Sequence, residues 1–204
     1  MNANDPVLAA RIVRNIAQIE DDEFMASGPL TEKLMSEIIK TIAKIAVDPW
    51  QIVVKDWDVR VVSPEWKRNK GVGTGDAWLE ITEVGADAES ERDYSWISTA
   101  VGAGPTRMAL ELVFRRGLRD AAEAAIRNDK HVAALWKAGM TRDETEPRLF
   151  FLIDIPVESL AQGYEQNDLD AALLPVGEAM KKAIAAKAEL DKLVDRVRDE
   201  PKKK

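Results

Sequence analysis

The chain has no cysteine and only one histidine, His131, among its 204 residues. Without thiols it cannot form disulfides, cysteine-ligated zinc or iron–sulfur centres, or a thiolate nucleophile. One imidazole leaves at most one base for a Ser-His-Asp system, and we interpret His131 as a surface residue because it lies within a helical pattern. Histidine-rich metal sites are excluded. Any metal site must therefore use oxygen ligands, which suit magnesium, manganese or calcium.

Positive charge and long apolar runs are also scarce. The 29 lysines and arginines are outnumbered by 36 aspartates and glutamates, which gives a formal net charge of -7 and a pI near 5.0. Sequence-independent binding to nucleic acid depends on neutralising phosphates, so this balance argues against general affinity for nucleic acid or anionic membranes. The N-terminal segment has no apolar run of signal-peptide or transmembrane length. We therefore expect a cytoplasmic protein without a membrane partner.

The apolar content, 46% of residues, is high enough for a substantial core. A chain of this length usually forms one domain, so we expect a single α+β domain over residues 1–200 and a disordered basic tail at 201–204. We expect a mostly antiparallel sheet of four to five strands, packed by N-terminal helices and a long C-terminal helix. The predicted segments are helical 1–48, a β-meander over 50–115, a helix over 117–139, a strand over 148–155 and a long helix over 167–198.

Two amphipathic helices are predicted in the N-terminal segment. Pro6 begins the first helix, which is expected to end at the acidic run 20–23, and Pro29 begins the second. Each helix has an apolar face that needs something to cover it. On the first helix, this face consists of Leu8, Ile12, Ile16 and Ile19.

From residue 50 the apolar pattern changes to a period of two. Lys55 and Asp56 mark a bulge or tight turn, and the parity of Trp57 with the neighbouring valines places it in the core. Connections between consecutive antiparallel strands alternate between the two ends of a sheet, so loops 64–75 and 102–107 are expected at the same end. The strand candidates are 57–62, 77–84, 94–101 and 108–114.

A basic, glycine-rich loop lies between two tryptophans, Trp66 and Trp78. Glycines let backbone amides approach an anion, cations supply charge and indoles supply stacking faces. The spacing matches neither a P-loop nor a dinucleotide fingerprint. The alternative for the loop is a solvated hairpin connection. The alternative for the two tryptophans is that they cover the second face of the sheet. The candidate anion- or partner-binding residues are Trp66, Lys67, Arg68, Lys70, Gly73 and Arg107.

Three carboxylates form the candidate metal or catalytic set: Asp76, Glu80 and Glu111. Asp76 and Glu80 lie four residues apart on one strand, about 13 Å between Cα atoms, so they cannot easily share an ion. Glu80 and Glu111 become neighbours if their strands pair, and they could then bind magnesium or manganese. No acid-x-Lys element accompanies them. The alternative is that both glutamates face solvent or pair with an arginine such as Arg60 or Arg115.

The C-terminal helix carries an apolar seam in alternating three- and four-residue steps, which is typical of a coiled coil. The alternative is a helix that lies across the sheet. The residues selected as the seam are Leu173, Met180, Leu190, Val194 and Val197.

No complete catalytic constellation is present in the sequence, so we expect a non-enzymatic binding or assembly protein that needs no cofactor. It would self-associate or dock a protein partner through the C-terminal helix, with the basic loop end as a recognition surface. The first alternative is a magnesium- or manganese-dependent hydrolase or nuclease that uses the sheet carboxylates. The second is a nucleic-acid-binding module that uses the loop without catalysis.

Overall fold

The computed structural model describes residues 6–67, 75–85, 95–143 and 146–199. Their strands are β1 Gln51–Lys55, β2 Asp58–Val62, β3 Ala77–Val84, β4 Arg107–Phe114, β5 Thr141–Arg142 and β6 Leu149–Ile153. They form one sheet in the order β1-β2-β3-β4-β6-β5, and every neighbouring pair is antiparallel. The α+β class is confirmed. The described residues form six strands, not four to five, because β1 and β2 are separate strands of a hairpin and the short β5 adds an edge.

Helices pack on this sheet and account for most of the remaining described chain. In chain order they are α1 Pro6–Arg14, α2 Ile16–Ser27, α3 Pro29–Ile45, α4 Trp96–Ala100, α5 Arg119–Arg127, α6 Asp129–Lys137, α7 Val157–Glu165, α8 Leu174–Ala185 and α9 Lys187–Asp199. Within the described residues, no helix is long and apolar enough to cross a membrane.

Proline begins α1 and α3, as predicted, because its fixed φ suits the first turn of a helix. Asn15 separates α1 from α2, and its φ of -112° and ψ of 14° depart from helical geometry. The Asn15 amide donates to the Arg11 carbonyl at 3.2 Å, and the Ile19 amide donates to the Asn15 carbonyl at 3.0 Å. The predicted end at residues 20–23 is wrong, because solvated acidic side chains do not interrupt a helix and α2 continues to Ser27.

The predicted strand at 94–101 is wrong, because residues 96–100 form α4. The Ser95 hydroxyl accepts a hydrogen bond from the Ser98 amide at 3.2 Å, which caps this short helix at its N-terminus. As a result β3 pairs directly with β4, from Ala77 opposite Phe114 to Val84 opposite Arg107. Residues 102–107 therefore lie at the opposite end of the sheet from residue 67, and the expectation of a shared end is wrong.

The two faces of the sheet have different surroundings. One face contributes Leu79, Leu110 and Phe151 to the main hydrophobic core, together with buried residues of α3, α5, α6, α7, α8 and α9. The register places Glu80 and Glu111 on the opposite face, because successive strand residues alternate in direction. The helices thus cover the face that the strand pattern marks as apolar.

Four other predicted features differ in the structure. The turn at Lys55 and Asp56 is confirmed, and Asp56 has a positive φ of 55°. Trp57 is the second residue of this turn and is 43% exposed instead of lying in the core. The helix predicted at 117–139 is divided at Asn128, whose side chain caps α6 by accepting from the Lys130 amide. The long helix predicted at 167–198 is divided at Ala186, and the strand at 148–155 shortens to β6.

Candidate functional site

Trp66 is a core residue, so its prediction as a ligand-stacking residue is wrong. Its side chain is fully buried and its ring meets that of Trp50 edge-on, with 5.4 Å between centroids. The Trp66 indole nitrogen donates to the Asp191 carboxylate of α9 at 2.7 Å. A buried indole with a satisfied polar edge has no free face for a ligand. The alternative, in which this tryptophan covers the second face of the sheet, is also wrong, because Trp66 belongs to the main core with Leu79 and Leu110.

The other members of the predicted basic site do not form one cluster in the described residues. The Lys67 ammonium donates to the Gln51 side chain, and Arg107 pairs with Asp154. Arg107 lies at the far end of the sheet from Lys67, because the strand between 94 and 101 does not exist. Arg68, Lys70 and Gly73, like the tail 201–204, lie outside the described residues.

Asp76 is a buried structural anchor at the end of the sheet. It is 4% exposed and pairs with two arginines, Arg115 after β4 and Arg198 of α9, whose Nε lies 2.9 Å from Asp76 Oδ2. Arg198 also donates to the Glu65 carbonyl at 2.8 Å. The carboxylate thus joins α9 to the sheet. Its placement in a metal site with the other two carboxylates is wrong, because both its oxygens bind arginine.

Glu80 and Glu111 do face each other, since their Cα atoms are direct partners in the β3–β4 register. Glu111 accepts two bonds from Arg148, at 3.1 Å from Nε and 2.6 Å from Nη2. Arg148 also donates to the Glu83 carbonyl at 2.8 Å, and the hydrogen bond to Glu111 raises the pKa of Arg148. This two-bond pair between Arg148 and Glu111 was not predicted from the sequence. The one feature that could have indicated it is an arginine directly before a buried apolar strand.

The negative charge of Glu80 is less well balanced by neighbouring donors than that of Glu111. Its carboxylate accepts from the Trp78 indole, and Arg60 Nε lies 3.7 Å away, as the sequence analysis anticipated for Arg60. Arg60 is shared, because it also pairs with Asp58 at 2.5 Å and lies 4.8 Å from the centroid of the Trp78 ring. Burial raises the pKa of Glu80; the Trp78 bond opposes this shift, and the negative charge of Asp58 adds to it.

A cleft of about 520 Å³ opens beside these two glutamates. Its walls include β4, α5 and residues 146–148, which directly precede β6. The cleft lies where β4 extends beyond its pairing with β6. Apolar residues of α5 and β4 form part of its wall. The charged residues that line it are Glu80, Glu111, Arg119, Glu123, Glu146 and Arg148. Among the described residues, no group of three histidine, aspartate or glutamate side chains could hold a metal ion.

The C-terminal seam lies inside the protein. Leu173, Met180, Leu190, Val194 and Val197 are each 0% exposed and belong to the main core. The seam is therefore the side of α8 and α9 that packs on the chain itself, which was the alternative interpretation. It has no apolar surface left to dock another chain, so its prediction as an interface is wrong.

Exposed apolar side chains are instead concentrated on the N-terminal helices of the described chain. Every residue from 11 to 25 is exposed, and α2, which is described over its whole length, has no buried side chain. The sequence analysis predicted that Ile12, Ile16 and Ile19 need a cover, but the described structure supplies none that buries them. We name residues 11–25 the N-terminal arm. Its large apolar residues, Ile12, Val13, Ile16, Ile19, Phe24 and Met25, are 39% to 71% exposed.

Comparison of the chain with protein-family models, curated proteins and solved structures finds no match. The N-terminal arm and the carboxylate-lined cleft are therefore weighed on their geometry and chemistry alone.

Proposed function

We propose that this protein is a non-enzymatic binding or assembly protein that docks a protein partner through the N-terminal arm. The observation that carries the proposal is the exposure of every residue from 11 to 25, six of them large and apolar. Single apolar residues on a surface are normal, but an exposed concentration of them, with Ile16 and Ile19 on one side of α2, is typical of an interaction site. The arm replaces the C-terminal seam as the docking surface.

The connection of the arm to the rest of the protein supports this role. The Gly28 amide donates to the Phe24 carbonyl at 3.0 Å, and the Thr31 hydroxyl donates to the Ala26 carbonyl at 2.7 Å. Thr31 is buried at the start of α3, and the core residues of α3 follow it. The base of the arm is thus anchored, and α2 also contacts α4, while the large apolar side chains of the arm stay exposed to another protein.

The energetics favour a partner. An isolated helix of about this length is marginally stable in water, and tertiary packing normally supplies the missing stability. Full burial of an isoleucine or phenylalanine side chain contributes about 1.5 to 3 kcal/mol, so covering half-exposed residues contributes roughly 1 kcal/mol each. Several such residues can offset the entropy lost on association. A docked partner would therefore stabilise the arm and gain affinity from the same contacts.

The test compares the full chain with the double variant Ile16→Glu, Ile19→Glu, after purification of each from the protein's own host cells. We expect the wild type to run as an assembly heavier than the 22.7 kDa monomer, and the double variant to run as a monomer. The matched control is Val157→Glu, because Val157 is an apolar residue that is 56% exposed on α7 and is not part of the arm. This control should leave the assembly intact.

Multi-angle light scattering gives the masses, and circular dichroism checks the fold of each variant. A monomeric wild type would contradict the proposal. So would an assembly that survives the double substitution, since the partner would then bind another surface.

The magnesium- or manganese-dependent hydrolase, including a nuclease, is the second candidate. One observation favours it: Glu80 and Glu111 face each other beside a cleft of about 520 Å³. Two observations count against it: Glu111 pairs with Arg148, and Asp76 is not available as a ligand because it pairs with arginine. Thermal shift with manganese tests it, with Glu80→Gln as the variant and Glu123→Gln as the control. A shift lost only in Glu80→Gln, with cleavage of single- or double-stranded nucleic acid, would support it; no shift and no cleavage would remove it.

The nucleic-acid-binding alternative stays a prediction. Arg68, Lys70 and Gly73 lie outside the described residues, and the cations inside them, Lys67 and Arg107, are far apart and each has a protein partner. Binding that weakens steeply with salt would be its signature.

A further inference from the structure

We propose that the partner of the N-terminal arm is the arm of a second copy, paired antiparallel about a two-fold axis. This inference rests on the proposed function, and it adds the identity and direction of the partner. Its basis is the distribution of charge along the arm. Arg11 and Arg14 lie in the first half, and the acidic run 20–23 lies in the second half.

None of these six charged residues forms an ion pair within the described part of the chain. Asp22 accepts a hydrogen bond from Gln18 on the same helix, and that bond still leaves its second oxygen available. The arm therefore carries a positive end and a negative end that are both free to pair. A parallel pair would place the two acidic runs side by side, whereas an antiparallel pair places each acidic run beside arginine.

The helical positions agree with this arrangement. Successive residues of a helix are rotated by about 100°, so Ile16 and Ile19 share one side of α2; with Ile12, from the end of α1, we call them the stripe. Within α2, Asp22 lies about 60° from Ile19 and so flanks the apolar side; within α1, Arg11 lies about 100° from Ile12, whereas Arg14 lies about 160° from it, on the opposite side of the helix. When two copies meet stripe to stripe about a two-fold axis, the same flank of each helix lies on the same side of the interface.

A two-fold axis between Ala17 and Gln18 brings both the apolar and the charged residues of the two copies into contact. It stacks Ile16 of each copy on Ile19 of the other copy. It also brings Arg11 of each copy within two residue steps, about 3 Å along the helix axis, of Asp22 of the other copy, which is within reach of the arginine side chain and gives two equivalent ion pairs. Such an interface is self-complementary, as a closed dimer requires. One helix per copy is a small interface, so we expect a reversible, concentration-dependent dimer.

The test uses sedimentation velocity of the purified full chain alone, over a range of concentrations. We expect the wild type to show a monomer–dimer equilibrium. Arg11→Glu and Asp22→Arg should each weaken the dimer about tenfold, because each replaces two ion pairs with two like-charge contacts. An equal mixture of the two variants should restore dimers. In the mixed dimer the glutamate introduced at position 11 of one chain faces the arginine introduced at position 22 of the other, and the two unsubstituted residues form the second ion pair.

Arg14→Glu is the matched control. It changes the net charge by the same amount as Arg11→Glu, but its side chain projects away from the stripe, so its dimer should stay within about twofold of the wild type. An equal loss from Arg14→Glu, or no recovery in the mixture, would overturn the antiparallel register. A purified wild type that is monomeric at every concentration would overturn self-pairing. If the protein from its host cells still runs as an arm-dependent assembly, the proposed function survives and the partner is a different protein.

Discussion

Replacement of Asp76 by asparagine should destabilise the protein by about 3 kcal/mol. Asp76 is 4% exposed and accepts from both Arg115 and Arg198, so the neutral amide leaves two arginines without their counter-charge. Breaking a buried ion pair by removing one partner costs roughly 3 to 5 kcal/mol. We take the low end of this range, because the side chains of Arg115 and Arg198 are 37% and 23% exposed and water screens part of their charge.

Urea denaturation followed by tryptophan fluorescence measures this loss. With an unfolding slope of about 2 kcal/mol per molar urea, the midpoint should fall by roughly 1.5 M. Asp154→Asn is the control. Asp154 forms one ion pair, with Arg107, and the side chains of Arg107 and Asp154 are 43% and 57% exposed. That variant should lose less than about 1 kcal/mol. If Asp76→Asn lost no more than this control, the assignment of Asp76 as a structural anchor would be refuted.

The remaining predictions concern pH. The pKa of Glu80 is raised by burial above 4.5, so its ionisation lowers stability as pH rises through the folded-state pKa. Glu80→Gln should therefore be more stable than the wild type at pH 7 and equal to it below about pH 4.5, and no gain at pH 7 would contradict the desolvation argument. The Ser63 hydroxyl, above all, lowers the pKa of Glu65 to about 2, with Lys187 contributing. The ionised Glu65 therefore stabilises the protein above pH 4.5, and this contribution is lost as pH falls towards 2. Glu65→Gln should make the free energy of unfolding less dependent on pH between 4.5 and 2. The same dependence as in the wild type would contradict this prediction.

The fold class could be predicted from the sequence because it depends on periodicity. The period of two in β3 and β4 and the helical spacing in α3 are properties of neighbouring residues, and the structure follows them. The segment 94–101 could not be assigned in this way. Its composition suits a strand, but a serine cap and local packing make it helical. This single error moved residues 102–107 to the wrong end of the sheet.

The candidate site was only partly predictable for a similar reason. The pairing of Glu80 with Glu111 follows from strand parity once β3 and β4 are neighbours. The partners of charged residues depend on long-range packing: Arg148 meets Glu111 from 37 residues away, and Arg198 meets Asp76 from 122 residues away. The C-terminal seam shows the same limit, because an apolar stripe looks alike whether it packs on its own sheet or on another chain.

Hydrogen–deuterium exchange of residues 11–25 tests the central claim most directly. It would be measured on the assembly purified from host cells and again after the assembly is dissociated by dilution. We predict slower exchange of the arm amides in the assembly, with little change in α8 and α9, whose seam is already buried. Unchanged exchange over 11–25, with new protection at another surface, would contradict the assignment of the arm as the docking site.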